Sequence, residues 1–238
     1  MNFKNNCIIC NKDLMYLKEP KEHKCMICGK EFLVDSICED GHYVCDSCHS
    51  KDGAAMIKEI CIHSSDKNPI KLMEKIMKEP SIHMHGPEHH VLVGAAILTA
   101  YKNCGGNIEL KSALFEMVRR GQQVPGGVCG FWGCCGAAVS AGIAVSIITG
   151  STPLKNEEWK LSNLMTSKAL KAIGEFGGPR CCKRDSFTAV NEACDFIEDN
   201  LKVKIETQEA INCKFSMYNQ QCIKGRCPYF NRLKGVIV

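Results

Sequence analysis

The sequence predicts a mainly α-helical fold, in which a helical bundle domain follows a small cysteine-rich domain. Residues 1–52 carry closely spaced cysteine pairs and no long apolar period, whereas from Ala54 onward apolar side chains recur at three- and four-residue spacing. The chain has eighteen cysteines among 238 residues, which indicates either disulfide bonds or bound metal. We therefore expect two domains, residues 1–52 and residues 53–238.

Periodic apolar segments separated by glycines predict the helices of the second domain. Pro87 suits the first position of a helix, because the N–H that proline lacks would have no partner there. Glu88 suits the same turn, because a carboxylate complements the positive end of the helix. Asp185 or Ser186 is expected to cap the last helix. Helices are expected within residues 54–77, over 87–103, 108–120, 137–149 and 157–173 and from 185 onward, with one strand at 203–206.

Charge and hydropathy restrict the class of protein. The N-terminus lacks the apolar core of a signal peptide, and closely paired cysteines suit metal better than disulfide bonds, so we expect a reducing cytoplasm. The formal net charge of +4 is too small to predict nucleic-acid binding. Residues 128–150 carry no charge, but glycines interrupt their first third, so we expect a buried helix and no membrane span.

Four ligand pairs in the first domain predict two bound zinc ions, because seven thiolates and one imidazole complete two tetrahedral sites. Only two residues separate His42 from Cys45, which favours a cross-braced grouping over one site built from neighbouring pairs. One zinc would bind Cys7, Cys10, Cys38 and His42, and the other Cys25, Cys28, Cys45 and Cys48. A domain of this length buries little apolar surface, and zinc would therefore stabilise its fold. Docking of a partner is the alternative role.

The segment CEDGHYVCDSC, residues 38–48, resembles the Cys-x-His-x-x-Cys-x-x-Cys part of RING-type zinc domains. Three residues lie between Cys38 and His42 here, within the range that such domains tolerate. The resemblance implies a small treble-clef or RING-like fold, and we infer no ubiquitin ligation from it. His23 and His49 are not needed as zinc ligands and are expected to be solvated.

Two adjacent cysteine pairs follow glycine-rich loops and precede predicted helices. They are Cys134 with Cys135, and Cys181 with Cys182. A helix N-terminus carries a partial positive charge, so these thiols are expected to have lowered pKa values and to act as ligands or nucleophiles. Arg180 reinforces this charge beside the second pair. Cys61, Cys104 and Cys194 are instead expected to be small packing residues.

A third group, Cys213, Cys222 and Cys227, has the pattern Cys-x8-Cys-x4-Cys-Pro near the C-terminus. Proline after the last cysteine is frequent among iron–sulfur ligands, so the group predicts a [4Fe–4S] cluster. Cys181 or Cys182 would lie near it, and the fourth ligand could come from elsewhere or be absent, leaving one iron open. A third zinc is the alternative, although no Cys-x-x-Cys knuckle is present.

Four histidines surround the Gly86-Pro87 turn: His83, His85, His89 and His90. The predicted helix start disfavours a protonated ring at His89 and His90, so either could bind metal or act as a general base. The roles of His83, His85 and Cys129 stay open at this point.

Four motifs resemble a cysteine-rich family of unknown function, found mainly in anaerobes and methanogens. The motifs are HMHGPEHHVLVGAA, QVPGGVCGFWGCCGAAVSAGI, GGPRCCKRDS and NQQCIKGRCPYF. The family is sometimes fused to a class I SAM-dependent methyltransferase, but this chain lacks a strand-led glycine fingerprint for SAM. Its glycine-cysteine helix is similar to that of redox-active cysteine-rich proteins, and GCCG is similar to the CCG motif of heterodisulfide-reductase-type subunits, without their following Cys-x-x-Cys.

Three functions are consistent with these patterns. The first is an iron–sulfur enzyme that handles sulfur or electrons on a small anionic or thiol substrate. In it Cys134 and Cys135 would act at the substrate, His89 or His90 would be a general base, and Arg180 would attract the anion. The second is an accessory module for a methyltransferase, corrinoid or redox partner. The third, a zinc-only factor acting on RNA, has least support because no basic face with interleaved aromatic residues is visible.

Overall fold

The computed structural model describes residues 7–231. Its N-terminal part is one antiparallel hairpin of β1, Leu14–Lys24, and β2, Glu31–Cys38. The register pairs Leu14 with Cys38 at one end and Lys24 with Glu31 at the other, with an irregularity between Tyr16 and Lys21. Each end of the hairpin therefore lies beside ligand pairs, since cysteine pairs precede β1, separate the strands and follow β2.

The rest of the described chain is helical, which confirms the predicted fold class. Eight α-helices follow the hairpin: α1 Asp46–His63, α2 Pro69–Ile76, α3 His89–Asn103, α4 Leu110–Gly121, α5 Val128–Phe131, α6 Gly136–Thr149, α7 Glu157–Phe176 and α8 Cys182–Leu201. Residues 202–231 form loops with two short 3-10 turns, Ser216–Tyr218 and Lys224–Arg226. The strand expected at 203–206 is wrong, because these residues have no strand partner in the described structure.

Helix α3 is the centre of the bundle, and thirteen of its residues are buried. Small residues let α6 pack closely against it. The Gly94 N–H donates to Ser140 Oγ across the two helices at 2.8 Å. A Cβ added at Gly94 would lie 2.2 Å from Met117 Sδ, and one at Gly142 would lie 1.9 Å from Thr166 Oγ1.

The uncharged stretch at residues 128–150 forms α5 and α6 rather than one long helix. In the part of the chain that the structure describes, no helix has both the length and the apolar character needed to cross a membrane.

Helix α1 joins the two parts of the molecule. It begins at Asp46, directly after the ligand Cys45, and the expected boundary after residue 52 lies inside it. The Gly126 N–H donates to Asp46 Oδ2 at 2.7 Å, and the rings of Tyr16 and Phe131 meet edge to face at 6.0 Å. These contacts hold the start of α1 against the loop that precedes α5, and hold β1 against α5 itself.

The start of α8 differs from the sequence expectation. The helix begins at Cys182 and not after Asp185 or Ser186. Cys181 is the N-cap, and its sulfur accepts the Arg184 N–H at 3.5 Å. A cysteine therefore takes the capping position that serine or aspartate usually occupies, and Asp185 lies in the first turn.

Candidate metal centres and the adjoining cleft

Two groups of four ligands lie at the ends of the hairpin, grouped as the cross-braced prediction requires. The first contains Cys7, Cys10, Cys38 and His42, and the second contains Cys25, Cys28, Cys45 and Cys48. Within each group all ligand atoms lie within 4.8 Å of one another. Tetrahedral zinc with Zn–S bonds of about 2.3 Å separates its sulfurs by about 3.8 Å, so both groups could hold a metal ion and are compatible with zinc.

Backbone N–H groups point at the sulfurs of these two groups. The Cys45 N–H donates to Cys25 Sγ, and the Asp40 N–H donates to Cys38 Sγ, both at 3.4 Å. Burial raises the pKa of the Cys25 thiol, but backbone N–H groups of Cys28, Cys45 and Ile27 outweigh burial and lower this pKa to about 6. A thiolate is therefore favoured at this position, as metal binding requires.

Four more cysteines line one pocket of about 340 Å³ between α8 and the C-terminal loops. They are Cys181, Cys213, Cys222 and Cys227. All four belong to the described residues, yet no three of their sulfurs lie within 4.8 Å of one another. We call this site the cysteine pocket. Its four cysteines come from two distant segments and are spaced more widely than the ligands of a single ion.

Each sulfur of the cysteine pocket accepts a backbone N–H from two or three residues further along the chain. The donors are Arg184 to Cys181 at 3.5 Å, Phe215 to Cys213 at 3.4 Å and Lys224 to Cys222 at 3.3 Å, with Tyr229 donating to Cys227. Asn219 Nδ2 adds a second donor to Cys181 at 3.4 Å. Such hydrogen bonds stabilise a thiolate and tune a bound metal group.

Buried positive charge adjoins the cysteine pocket. Lys183 and Arg184 both line it and are 0% and 3% exposed. Arg184 Nε donates to Asp185 Oδ1 at 2.9 Å. Its Nη1 is buried and has no hydrogen-bond partner among the described residues. A buried, unpaired guanidinium N–H is costly, so it is expected beside an anionic group.

The expectation of low thiol pKa values at the helix starts is wrong for Cys135, Cys181 and Cys182. Burial raises the pKa of Cys135 to about 12, that of Cys181 to about 11 and that of Cys182 to about 12. Loss of solvation disfavours the charged thiolate, and here it outweighs the helix end and the neighbouring cations. Burial therefore favours the protonated thiol at these three positions.

A larger cleft lies between the hairpin region and the helical domain. It is open to solvent and is lined from the N-terminal side by residues that include Tyr16 and Asp46. From the helical side its lining includes His85, His90, Cys129, Arg180 and Cys182. We call it the interdomain cleft. Three residues predicted from sequence to serve a site, His90, Arg180 and Cys182, thus lie together.

The cysteine pocket and the interdomain cleft are neighbours across the start of α8. Cys181 lines the pocket, and the next residue, Cys182, lines the cleft. His85, at the cleft, contacts Asn219 through Nε2 and Oδ1 at 3.2 Å, and Asn219 donates to Cys181 at 3.4 Å. A hydrogen-bonded path therefore joins the two sites.

The other predicted site residues lie elsewhere. His89 is 1% exposed, and both ring nitrogens have buried partners: Gly86 O at 3.1 Å and Lys183 Nζ at 3.1 Å. Cys135 packs against the core and donates to Asp185 Oδ2 at 3.9 Å. Neither Cys134 nor Cys135 is among the described residues that line the pocket or the cleft. Cys134 and Cys135 therefore do not line the cleft with His90 and Arg180, although Gly136, which follows Cys135, packs against the His90 ring.

Sequence reasoning missed three polar residues at these sites. His49 is not solvated as expected, because its side chain is 17% exposed and lies 3.5 Å from Glu88. Asn219 contacts both His85 and Cys181. His85 lies 134 residues before Asn219 in the sequence, so no local pattern reveals this contact. Glu88 was expected at the start of a helix, but the sequence did not indicate that its side chain is completely buried.

Comparison with known proteins gives one finding. A protein-family model described as a family of unknown function, DUF5714, matches residues 57–230. The matched region contains all four cysteines of the cysteine pocket and begins after the two N-terminal ligand groups. The chain matches no curated protein and no solved structure.

Proposed function

The chain belongs to DUF5714, a family of unknown function, and we propose that it is an iron–sulfur enzyme that exchanges electrons with a small anionic or thiol substrate. A [4Fe–4S] cluster would be held in the cysteine pocket, and the substrate would occupy the interdomain cleft. The N-terminal ligand groups would hold two structural zinc ions in a treble-clef or RING-like domain.

The observation that carries the proposal is the composition and spacing of the cysteine pocket. Four thiols line one pocket, each with a backbone N–H donor, but their sulfurs are spaced too widely for one tetrahedral ion. A cluster distributes four cysteine ligands over several irons. The unpartnered Nη1 of Arg184 supports an anionic occupant at the same place.

Four protein ligands favour electron transfer over Lewis-acid catalysis. When bound, such a cluster supplies one-electron redox chemistry, and its potential depends on sulfur hydrogen bonds and on burial. With Cys181 as the fourth ligand, no iron is left open to bind substrate. Asn219 would hold this sulfur and His85 in one hydrogen-bonded path towards the cleft.

The chain's own residues supply the substrate site. Arg180 lines the cleft and would attract an anion. His90 Nδ1 lies 2.9 Å from Val124 O, so it carries the proton and Nε2 keeps a lone pair. Burial lowers the pKa of His90, which keeps the ring neutral and able to accept a proton. Cys182 would contact a bound substrate from the end of α8.

Serine substitutions at the adjacent cysteines test the proposal. Serine is a good helix N-cap, so Cys181→Ser should preserve the start of α8 while removing a cluster ligand. We expect wild-type protein, purified without oxygen, to have visible absorption that bleaches on reduction and an EPR signal in the reduced state. Cys181→Ser should lose most of its iron.

Cys182→Ser is the matched control, because it changes the same atom one residue further along the helix. It should keep the iron and the EPR signal. Colourless wild-type protein containing zinc alone would contradict the proposal, and so would Cys181→Ser protein with unchanged iron content.

A second candidate function is an accessory module that docks on a methyltransferase, corrinoid or redox partner. Its support is the exposure of apolar side chains around the hairpin, where Met26 and Ile27 are each 57% exposed and Leu33 is 69% exposed. Exposed apolar residues that lie together often mark interaction sites. Leu33→Asp should abolish partner capture if docking is the function and should leave the redox behaviour unchanged.

A further inference from the structure

A cluster of two imidazoles and one carboxylate lies apart from the two N-terminal ligand groups and from the cysteine pocket. His49 comes from the first turn of α1, His83 from the loop between α2 and α3, and Glu88 from the N-cap of α3. One ligand atom of each residue lies within 4.8 Å of the other two. We call this cluster the His-His-Glu group.

The distances within the group fit metal ligands better than hydrogen bonds. His49 Nδ1 lies 3.5 Å from Glu88 Oε2, and His83 Nδ1 lies 3.4 Å from Glu88 Oε1. Hydrogen bonds between nitrogen and oxygen are shorter, about 2.9–3.0 Å. Tetrahedral coordination with bonds of about 2.0–2.2 Å separates nitrogen and oxygen ligands by about 3.3–3.6 Å.

Three polar atoms of the group are buried without a hydrogen-bond partner in the part of the chain described. They are His49 Nδ1, His83 Nδ1 and Glu88 Oε2. The Glu88 side chain is completely buried. Buried polar atoms are nearly always paired, so three unpaired atoms that converge on one point indicate a ligand that all three bind.

The surroundings orient the carboxylate and make room for it. The His83 N–H donates to Glu88 Oε1 at 2.8 Å, which fixes the carboxylate with Oε1 beside the His83 ring and Oε2 beside the His49 ring. Lys183 Nζ donates to His83 O at 2.8 Å and holds the loop in place. A Cβ at Gly86 would lie 2.2 Å from Glu88 Oε2, and one at Gly53 would lie 3.1 Å from Glu88 Cβ. Outer-shell contacts of this kind orient metal ligands.

From these observations we propose that His49, His83 and Glu88 bind one divalent transition-metal ion, as a third mononuclear metal site. Two histidines and one carboxylate with an open position form zinc sites of hydrolytic enzymes and iron(II) sites of oxygenases. The site is separate from the thiolate groups and does not depend on the cluster in the cysteine pocket.

The open position faces the interdomain cleft. The side chains of His49 and His83 are each 17% exposed, and His49 lines the cleft beside His85 and His90. The family match covers His83 and Glu88, whereas His49 precedes it. The N-terminal domain therefore completes the site, so that the ion is bound fully only when α1 is fixed in place.

Manganese titration of the full chain, supplied with only the two zinc ions that its two N-terminal ligand groups would bind, tests the site. Mn²⁺ suits a site that offers a carboxylate, and it competes poorly with zinc for thiolates. Without oxygen, the EPR signal of free Mn²⁺ should fall until about one equivalent is bound per chain. Added Zn²⁺ or Fe²⁺ should displace the bound Mn²⁺, and metal analysis of the purified protein identifies which of the two it carries.

Three variants remove one ligand each, from three different elements: His49→Asn, His83→Asn and Glu88→Gln. Each should weaken Mn²⁺ binding at least about tenfold, since losing even an outer-shell partner costs about that much. His63→Asn, at the exposed end of α1, is the matched control and should bind Mn²⁺ as wild type does. Wild-type protein that binds no Mn²⁺, or folded ligand variants with unchanged affinity, would overturn the proposal. Cluster content measured in the same samples keeps this outcome distinct from failure of the proposed function.

Discussion

At the scale of single residues, adjacent cysteines have different surroundings because a helix start turns successive side chains in different directions. Cys181 caps α8 and faces the cysteine pocket, whereas Cys182 begins the helix and faces the interdomain cleft. The sequence identified both residues as chemically important. It could not assign them to separate sites, because the lining of each site comes from distant segments.

Burial also explains why the expected thiolate character is absent from the free thiols. The helix start and nearby cations lower a thiol pKa, but loss of solvation raises that of Cys182 to about 12. The size of that loss depends on tertiary packing, which a sequence pattern does not measure.

One glycine of the GCCG motif is required by a neighbouring histidine. A Cβ at Gly136 would lie 2.2 Å from His90 Cδ2. Gly136→Ala should therefore destabilise the fold by about 1–3 kcal/mol, the usual cost of overpacking. Denaturant unfolding measures this free energy.

Gly130→Ala is the control in the same glycine-rich segment, a few residues before the motif, since a Cβ at Gly130 would meet no atom within 4 Å. It should change the free energy of unfolding by no more than about 0.5 kcal/mol, as surface substitutions usually do. Equal effects of the two substitutions would contradict the packing of His90 against Gly136.

At the scale of elements, the sequence predicted most helices because their apolar periods are local. Helices α3, α4, α6 and α7 begin within two residues of the expected positions. The hairpin was not predicted, because its strands are largely exposed and lack an apolar alternation. An isolated hairpin is marginal in water, so we expect metal bound by the ligand groups at its ends to stabilise it.

Loss of one N-terminal ligand should therefore unfold the whole hairpin region. Cys25→Ser removes a buried ligand of the second group. We expect one zinc to be lost, and amide hydrogen exchange across β1 and β2 to become fast, because metal binding supplies much of the folding free energy of such domains.

The helical bundle should keep its slow exchange in this variant, since its core does not include the hairpin. Cys104→Ser, outside both groups, is the control and should alter neither zinc content nor exchange. A hairpin that stays protected in Cys25→Ser would show that zinc is not what stabilises it.

At the scale of the whole molecule, α1 connects metal binding in the N-terminal domain to the cleft. It begins beside Cys45, contributes His49 to the His-His-Glu group and contacts Gly126 through Asp46. The sequence predicted two domains but not the cleft between them, because a cleft depends on how elements pack. We infer that the hairpin region, through α1, shapes the cleft.

The central claim is that the cysteine pocket holds an iron–sulfur cluster, and acid-labile sulfide tests it most directly. Zinc sites and the His-His-Glu group contain no inorganic sulfide, so sulfide reports the cluster alone. Wild-type protein purified without oxygen should contain about four sulfides and about four cluster irons per chain, and Cys227→Ser should contain neither. Wild-type protein without sulfide, with zinc in the cysteine pocket, would contradict the account.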